Sequence, residues 1–519
     1  MRGMVSSTAP LLESGLNSEP DPATQPDGFG ARVRSAVAWR WGSQVVGQLI
    51  TWTATILVVR LLDPHDYGLF AMTQAVLVGL NFLNGYSFAT SLIQAKEIDE
   101  RRIGQVFGLL IVSNLLLAAA QLLLAPVAAR YYGQPLVADM LRVQALVFLC
   151  TPFIALPSAL LARRMEFRNQ ALVNLLCALA GMAVALPLAW LGYGVWALVL
   201  APVAMFMVRA VGLTLAARLL VRPVFDFRGS RDIIGFGSAL TLCQLFWIVQ
   251  SQSDIVIAGR SFTPHQLGLY SEALFLTLIM TSRFLPPLNE VAFPAYSELN
   301  NAGKSLAPAF LASARMIMLV AAPFYVGLSL TAGPLVTTFF GPKWLEMIPI
   351  VAALAIAMPA MALQIVCSPA TNALGRPGLY LFGNIAGAII MPLCFLYGAA
   401  RGAQGLADAW HVAAPLLLMV TLTVTLPAIG ARVIDLVRAL LPVAAACLVM
   451  AGVVLALDSI TDHLPAPARL ALLALVGAIV YGGVLQLVWP AVLAEAWAMV
   501  RKPAAADAPE SGMVPEGQL

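Results

Sequence analysis

The residues with the clearest chemical potential are charged side chains placed inside long apolar stretches. Asp254 and Arg260 close one such stretch, and Glu272 and Arg283 lie eleven residues apart in the next. Eleven residues are about three helical turns, so Glu272 and Arg283 are predicted to project from one face of a helix. Charges among hydrocarbon are costly and usually face a polar path or cavity. These residues therefore indicate a site for polar cargo inside an apolar protein.

Three arginines extend this set. Arg209 lies inside another apolar stretch, while Arg60 and Arg260 lie near the ends of two stretches. These end positions have two interpretations: the side chains contact an anionic cargo, or they reach the lipid headgroups. Asp254 and Arg260 are six residues apart, about 9 Å along a helix and on different faces. Asp254 therefore needs another partner, or it exchanges a proton and couples transport to proton movement.

Uncharged polar residues form stripes along the same stretches. One stripe has the i, i+4, i+7, i+11 spacing of a single helix face and consists of Gln44, Gln48, Thr51 and Thr55. Unpaired polar groups are costly in hydrocarbon, so each stripe faces either another helix or water. Because several stripes occur, two of them in repeated segments, they favour a hydrated central cavity. The other stripe residues are Gln74, Asn81, Asn84, Gln244, Ser251, Gln364, Ser368 and Thr371.

The elements that carry these residues are predicted to be membrane-spanning helices. Hydrophobic residues make up 60% of the 519 positions and charged residues 11%, against about 25% in soluble domains. A spanning helix needs about 20 mostly apolar residues, and by that measure we predict an all-α protein with about fourteen spans. They lie near 41–62, 67–90, 103–125, 140–162, 171–191, 194–217, 233–258, 267–293, 309–331, 346–370, 379–399, 404–430, 434–457 and 468–490.

Charge and cysteine patterns narrow the function classes. The net charge of +4 is small and dispersed, which excludes nucleic acid as a partner. The six cysteines lie in apolar runs without zinc-type spacing, so no metal site is predicted. Basic clusters such as Arg101-Arg102 and Arg163-Arg164 fall on one side, which predicts that both chain ends are cytoplasmic. Residues 1–30, rich in Pro, Ser, Gly and acid, are predicted to form a disordered cytoplasmic tail, and 500–519 another.

A long internal repeat divides the chain. Its most distinct motif occurs first as Arg60, Pro64-His65 and Gly68-Leu69. It recurs as Arg260, Pro264-His265 and Gly268-Leu269. Tyr131-Tyr132-Gly133 recurs as Phe339-Phe340-Gly341, and Asn174 recurs as Asn384. Six spans per copy give both copies the same topology, as in transporters built from parallel repeats. The predicted domains are two six-helix bundles and an additional helix pair, at 31–225, 226–431 and 432–499.

On these residues the chain resembles the polysaccharide transporter branch of the multidrug/oligosaccharidyl-lipid/polysaccharide exporter superfamily, and within it the WzxC-like subgroup. The resemblance covers roughly residues 30–430. The motifs that carry it are Gly42-Ser43-Gln44, Val59-Arg60-Leu61-Leu62, Tyr67-Gly68-Leu69-Phe70, Asp254 with Arg260, Leu267-Gly268-Leu269-Tyr270-Ser271 and Phe293-Pro294-Ala295-Tyr296-Ser297.

The resemblance implies a flippase and not an enzyme. It implies a V-shaped pair of bundles in the bacterial inner membrane that carries undecaprenyl-diphosphate-linked oligosaccharide repeat units to the periplasmic leaflet by alternating access. Such a cargo serves exopolysaccharide, capsule or O-antigen assembly, with a polysaccharide polymerase and its chain-length machinery as candidate partners. The diphosphate would suit Arg60, Arg209, Arg260 or Arg283, and the last two helices would border the lipid tail. No cofactor is implied beyond H⁺ or Na⁺ as a candidate coupling ion.

Two other functions stay open at this point. A membrane polysaccharide polymerase or ligase would need a sizeable external loop with catalytic groups, and the external loops are short. A cation-coupled small-molecule exporter of the same fold would need an embedded acidic site, for which Asp254 and Glu272 are available. Asp408 and His411, three residues apart, are either a proton-linked pair or an anchor at the membrane interface.

Overall fold

The computed structural model describes residues 26–81, 84, 100–164, 166–218, 221–226 and 231–501, and every regular element in these ranges is a helix. The first half of the chain forms α1 (Pro26–Leu61), α2 (Pro64–Asn81), α3 (Glu100–Tyr132), α4 (Leu136–Gln144), α5 (Leu146–Cys150), α6 (Pro152–Arg163), α7 (Phe167–Trp190) and α8 (Val195–Ala216).

The second half repeats this order and adds a C-terminal group. It forms α9 (Arg231–Ser261), α10 (Pro264–Asn301), α11 (Ala307–Leu330), α12 (Ala332–Phe339), a 3₁₀ helix (Pro342–Met347), α13 (Ile348–Ala373), α14 (Pro377–Ala399) and α15 (Gly402–Ile429). The C-terminal group is α16 (Val433–Ile460), α17 (Ala466–Val488) and α18 (Pro490–Arg501).

The prediction of an all-helical membrane protein is confirmed. Within the described residues, ten helices are long and apolar enough to cross a bilayer, and each of the fourteen predicted segments overlaps a helix. The predicted segments outside these ten are 41–62, 67–90, 233–258 and 267–293. They carry most of the polar stripe residues and the charges Asp254, Glu272 and Arg283, and polar residues lower the mean hydropathy of α2 and α10. The count of fourteen spans therefore stays a prediction.

Corresponding helices of the two halves pack in corresponding ways. In the first half α1 packs on α7, and α7 packs on α8; in the second half α9 packs on α14, and α14 packs on α15. The halves meet where α2 packs on both α9 and α10. One hydrophobic core runs through this contact, from Val58 and Met72 of the first half to Tyr270 and Trp344 of the second.

The chain ends differ from the predicted domain limits. Helix α1 begins at Pro26, inside the segment predicted to be disordered, and residues 1–25 and 502–519 lie outside the described residues. The region predicted to be a helix pair contains a third, short helix, α18, after α17. Arg315 of α11 forms a salt bridge of 2.6 Å with Glu495, so α18 is tied to the second half.

Candidate functional site

The two copies of the repeated turn lie directly against each other. Each turn ends at a proline that begins a helix, since Pro64 begins α2 and Pro264 begins α10. A Cβ atom at Gly68 would lie 1.7 Å from the Pro264 carbonyl oxygen, and one at Gly268 would lie 1.7 Å from that of Pro64. Only glycine, which has no Cβ, lets each helix come this close to the proline carbonyl of the other turn. We call this end of the molecule the turn end.

The repeated arginines join the halves at the turn end. The Arg60 guanidinium donates to the Phe339 carbonyl oxygen at 3.1 Å and also to that of Thr338. Arg260 donates to the Tyr131 carbonyl oxygen at 3.1 Å and lies 5.2 Å from the centre of the Tyr131 ring. Each arginine thus binds the end of a helix in the opposite half.

Further bonds across the halves strengthen this contact. The indole nitrogen of Trp344 is buried and donates to the Val59 carbonyl oxygen at 3.0 Å. Lys343 forms a salt bridge of 2.8 Å with Asp63. We refer to the contacts of Arg60, Arg260, Gly68, Gly268 and the segment Lys343-Trp344 as the turn-end clasp.

The clasp gives Arg60 and Arg260 partners that the sequence analysis did not name. Both were predicted to contact an anionic cargo or lipid headgroups, whereas here their nitrogens bind backbone carbonyls. A signal was available in the repeat, because the partners Tyr131 and Phe339 belong to its matched aromatic motifs. The spacing of those motifs along the chain did not indicate that each would meet the arginine of the other copy.

Asp254 lies inside the second half instead of facing the space between the halves. Its side chain is buried, and the Tyr270 hydroxyl donates to Oδ2 at 2.9 Å. The Trp410 indole nitrogen donates to the Tyr270 hydroxyl oxygen at 2.8 Å, so one chain of hydrogen bonds joins α9, α10 and α15. The missing partner of Asp254 is therefore Tyr270, which the sequence analysis did not single out.

Glu272 and Arg283 lie on α10 beyond the clasp. Glu272 is half-buried near Tyr67 of α2, and Arg283 is exposed. In the described part of the chain, neither side chain forms an ion pair or a hydrogen bond with another residue. A carboxylate and a guanidinium thus remain available on a helix that borders both halves.

Away from the turn end, the two sides of the contact between the halves differ. Helix α2 follows α9 as far as Gly79, where a Cβ would lie 3.9 Å from a methyl carbon of Ile248. The symmetric counterpart would be packing of α1 on α10, and the described residues show no comparable packing there. The distal part of α10 packs through Leu285 and Tyr296 while Val291 is 72% exposed. The halves therefore meet at the turn end and along α2 and α9, while the described residues of α1 and α10 make no comparable contact.

Helix α1 carries the polar stripe that the sequence predicts. Gln48 is half-buried, while Thr51 and Thr55 are exposed and donate to carbonyl oxygens of their own helix at 2.8 and 2.9 Å. These hydroxyl groups are thereby satisfied without water. Gln44 and Gln244 are on α1 and α9, but their side chains are outside the described part of the structure.

The remaining candidates lie elsewhere. Asn81 is half-buried at the end of α2, and Arg209 is exposed on α8 within electrostatic range of Cys177 on α7. Asp408 and His411 do not pair: Gln404 donates to Asp408 at 3.1 Å, and the His411 ring nitrogen lies 2.8 Å from the Ala353 carbonyl oxygen. The hypothesis of a proton-linked pair is therefore wrong, because each residue has its own neutral partner.

Comparison with known proteins assigns the family. A family model described as polysaccharide biosynthesis protein matches residues 57–349, which is more than half of the chain and includes the whole turn-end clasp. The chain belongs to this family, and the predicted resemblance is confirmed.

Curated relatives and one solved structure agree with this assignment. The chain is 24% identical to the succinoglycan biosynthesis transport protein ExoT of Rhizobium meliloti, over 68% of this chain and 72% of ExoT. It is 21% identical to the lipopolysaccharide biosynthesis protein WzxC of Escherichia coli, over 57% of this chain and 60% of WzxC. The structure of the lipid II flippase MurJ superposes with a TM-score of 0.72 at 12% identity, over 88% of this chain and 99% of that one. The chain therefore has the fold of MurJ.

Proposed function

We propose that this protein flips undecaprenyl-diphosphate-linked oligosaccharide repeat units from the cytoplasmic to the periplasmic leaflet of the bacterial inner membrane. The observation that carries the proposal is Arg283, whose guanidinium is exposed on α10 and has no partner among the described residues, in a chain with the fold of a lipid II flippase. A lipid-linked cargo needs a side opening, since its tail stays in hydrocarbon while its headgroup crosses, and we place this opening between α1 and α10, which make no extensive contact among the described residues. The relatives named for polysaccharide transport support the substrate class.

The proposed architecture has fourteen spans. Two six-helix repeats, at 31–225 and 226–431, are followed by the helix pair of 432–499, and both chain ends are cytoplasmic. The corresponding packing of α1 on α7 and of α9 on α14 supports the repeat. In this orientation the turn end faces the periplasm, and the opening between α1 and α10 faces the cytoplasmic leaflet.

Arg283 is proposed to bind the diphosphate. A guanidinium offers several donors in a plane and matches phosphate oxygens. Glu272 lies about three turns closer to the clasp, where a carboxylate would accept hydrogen bonds from sugar hydroxyls. Transport then requires the clasp to open toward the periplasm while the opposite end closes, which releases Arg60 and Arg260 from their carbonyl partners.

The proposal is tested by deleting the gene and restoring it with variants. Deletion should abolish surface polysaccharide and leave lipid-linked repeat units accumulated in the cytoplasmic leaflet. Arg283→Gln should restore little export, whereas Arg130→Gln, at an exposed arginine on α3, should restore it fully. Unchanged export after deletion would exclude the proposed function.

A cation-coupled exporter of small molecules is the second candidate, and the unpaired Glu272 favours it. A desolvated acidic group that exchanges H⁺ or Na⁺ would suit such a protein. The two candidates differ in the deletion strain. An exporter predicts increased sensitivity to toxic cations with normal surface polysaccharide.

A further inference from the structure

A groove on the surface of the second half carries both a cation and an anion. It lies between α14 and α15 near the turn end, has a volume of about 360 Å³, and is lined by residues that include Leu393, Tyr397, Gly398, Arg401, Asp408 and Val412. The side chains of Leu393, Tyr397 and Val412 are each 60% exposed or more. The groove therefore opens at the surface of the protein and is lined by residues of α14, α15 and the turn between them.

Close helix packing forms the floor of the groove. A Cβ at Gly398 would lie 2.6 Å from the Gly405 carbonyl oxygen, and one at Gly405 would lie 2.7 Å from that of Gly398. The two glycines bring α14 and α15 together here, and the larger side chains on either side become the walls. The walls toward the middle of the helices, at Leu393 and Val412, are apolar.

The cation at the groove is fixed and remains available to a ligand. The Arg401 guanidinium stacks on Tyr397, 4.5 Å from its ring centre, and donates to the Tyr397 hydroxyl oxygen. A guanidinium has five N–H donors, so others remain for a ligand. Arg401 directly precedes α15, and tyrosine rings concentrate at the membrane–water interface. This position matches the level of lipid phosphates.

The anion is held in the same groove but apart from the cation. Asp408 accepts a hydrogen bond of 3.1 Å from Gln404, and a carboxylate has further acceptor sites. The described side chains of Arg401 and Asp408 form no ion pair with each other. Two opposite charges that share a groove without neutralising each other match a ligand that carries both signs.

We propose that this groove binds a phospholipid with a zwitterionic phosphate–ammonium headgroup. The phosphate accepts hydrogen bonds from Arg401, the ammonium donates to Asp408, and an acyl chain lies along Leu393 and Val412. A purely anionic headgroup would satisfy Arg401 but leave Asp408 facing a like charge. The carboxylate therefore selects the ammonium-bearing lipid.

The proposal is tested with the purified full-length protein, stripped of lipid and titrated by native mass spectrometry. Phosphatidylethanolamine and phosphatidylglycerol with identical acyl chains are the probes. Arg401→Gln should bind both lipids about tenfold more weakly, the loss expected when one charge-assisted hydrogen bond is removed. Asp408→Asn should keep phosphatidylglycerol binding and lose the preference for phosphatidylethanolamine.

Two further variants keep the test decisive. Arg130→Gln removes an exposed arginine outside the groove and should leave both affinities unchanged. Val412→Trp should fill the groove and abolish binding with both charges in place. Equal binding of the two lipids by the native chain, or an equal loss in Arg130→Gln, would overturn the proposal. Stronger binding of phosphatidylglycerol would also overturn it, because it would show that the groove selects an anionic headgroup.

Discussion

Glycine at positions 68 and 268 determines how closely the two halves can approach. Both residues lie one turn into a helix that begins with proline, where an alanine would normally be the better helix former. The reciprocal contact with the Pro64 and Pro264 carbonyl oxygens leaves no room for a methyl group at either site. The repeat therefore preserves a steric requirement at the contact between the halves.

Replacing Gly68 with alanine is expected to separate the halves at the turn end. Because the obstacle is the Pro264 backbone and not a movable side chain, overpacking should cost about 1–3 kcal/mol of unfolding free energy. Gly327→Ala is the matched control, since a Cβ there meets nothing within 4 Å and alanine should favour α11. Thermal unfolding in detergent measures both variants. An equal melting temperature for Gly68→Ala and the native chain would contradict the steric argument.

Asp254 and Tyr270 form one buried unit that the first copy of the repeat lacks. At the corresponding positions the first copy has Ala54 and Phe70, so the carboxylate and the hydroxyl occur together in the second copy only. Tyr270→Phe alone removes the donor to Oδ2 of buried Asp254, whose Oδ1 still accepts from the Ile255 N–H, and should cost about 1–3 kcal/mol. The double variant Asp254→Ala/Tyr270→Phe recreates the first-copy pair and should lose less than the sum of the single losses.

This double variant also tests the two roles considered for Asp254. A structural role predicts that the double variant retains transport wherever it folds, with a coupling energy between the two sites in unfolding experiments. A role in proton coupling predicts that every variant without the carboxylate loses transport, whatever its stability. Additive single losses would show that the hydrogen bond contributes nothing measurable.

At the scale of helices, periodicity and composition predicted where the helices lie along the chain. They predicted less well which helices contact each other. Each of the fourteen predicted apolar runs overlaps a helix, and ten of the helices in the described part of the chain are long and apolar enough to cross a membrane. The short helices α12 and α18 were missed, since neither is long enough for that criterion. Partners such as Tyr270 for Asp254 were also missed, because spacing within one helix carries no information about which helix lies opposite.

The Arg315–Glu495 salt bridge is expected to hold α18 against the second half. Both side chains are partly buried, at 25% and 35% exposure, and the N–O distance is 2.6 Å. Glu495→Gln removes the charge that faces Arg315, so amide hydrogen exchange in α18 should become faster. Asp139→Asn is the control, since its pair with Arg142 is more than half exposed and such pairs contribute less than about 1 kcal/mol.

The exchanged pair Arg315→Glu/Glu495→Arg separates the salt bridge from other effects. It restores the opposite charges in reversed order. Amide hydrogen exchange in α18 should therefore return toward the native rate. Unchanged protection in Glu495→Gln would show that apolar packing on α17 suffices to hold the helix.

At the scale of the whole molecule, the clasp is the contact that the proposed transport cycle requires to open. The contacts of Arg60, Arg260 and Trp344 with carbonyl oxygens are hydrogen bonds, while a hydrophobic core and the packing of α2 on α9 and α10 also join the halves there. Backbone carbonyls accept these bonds, so the clasp can open without leaving buried charges unpaired. In the proposed cycle, these hydrogen bonds hold the turn end closed and break when it opens.

Locking the clasp should stop transport. In Asp63→Cys/Lys343→Cys the new thiols replace side chains that meet at 2.8 Å across the halves, so a short cleavable bis-thiol reagent should join them. If the turn end must open in each cycle, crosslinking should reduce polysaccharide export to the deletion level, and cleavage of the linker should restore it. The control Asp139→Cys/Arg142→Cys joins two positions within α4, where the native side chains meet at 2.6 Å, and should leave export unchanged. Full export with the clasp crosslinked would show that the halves do not separate at the turn end.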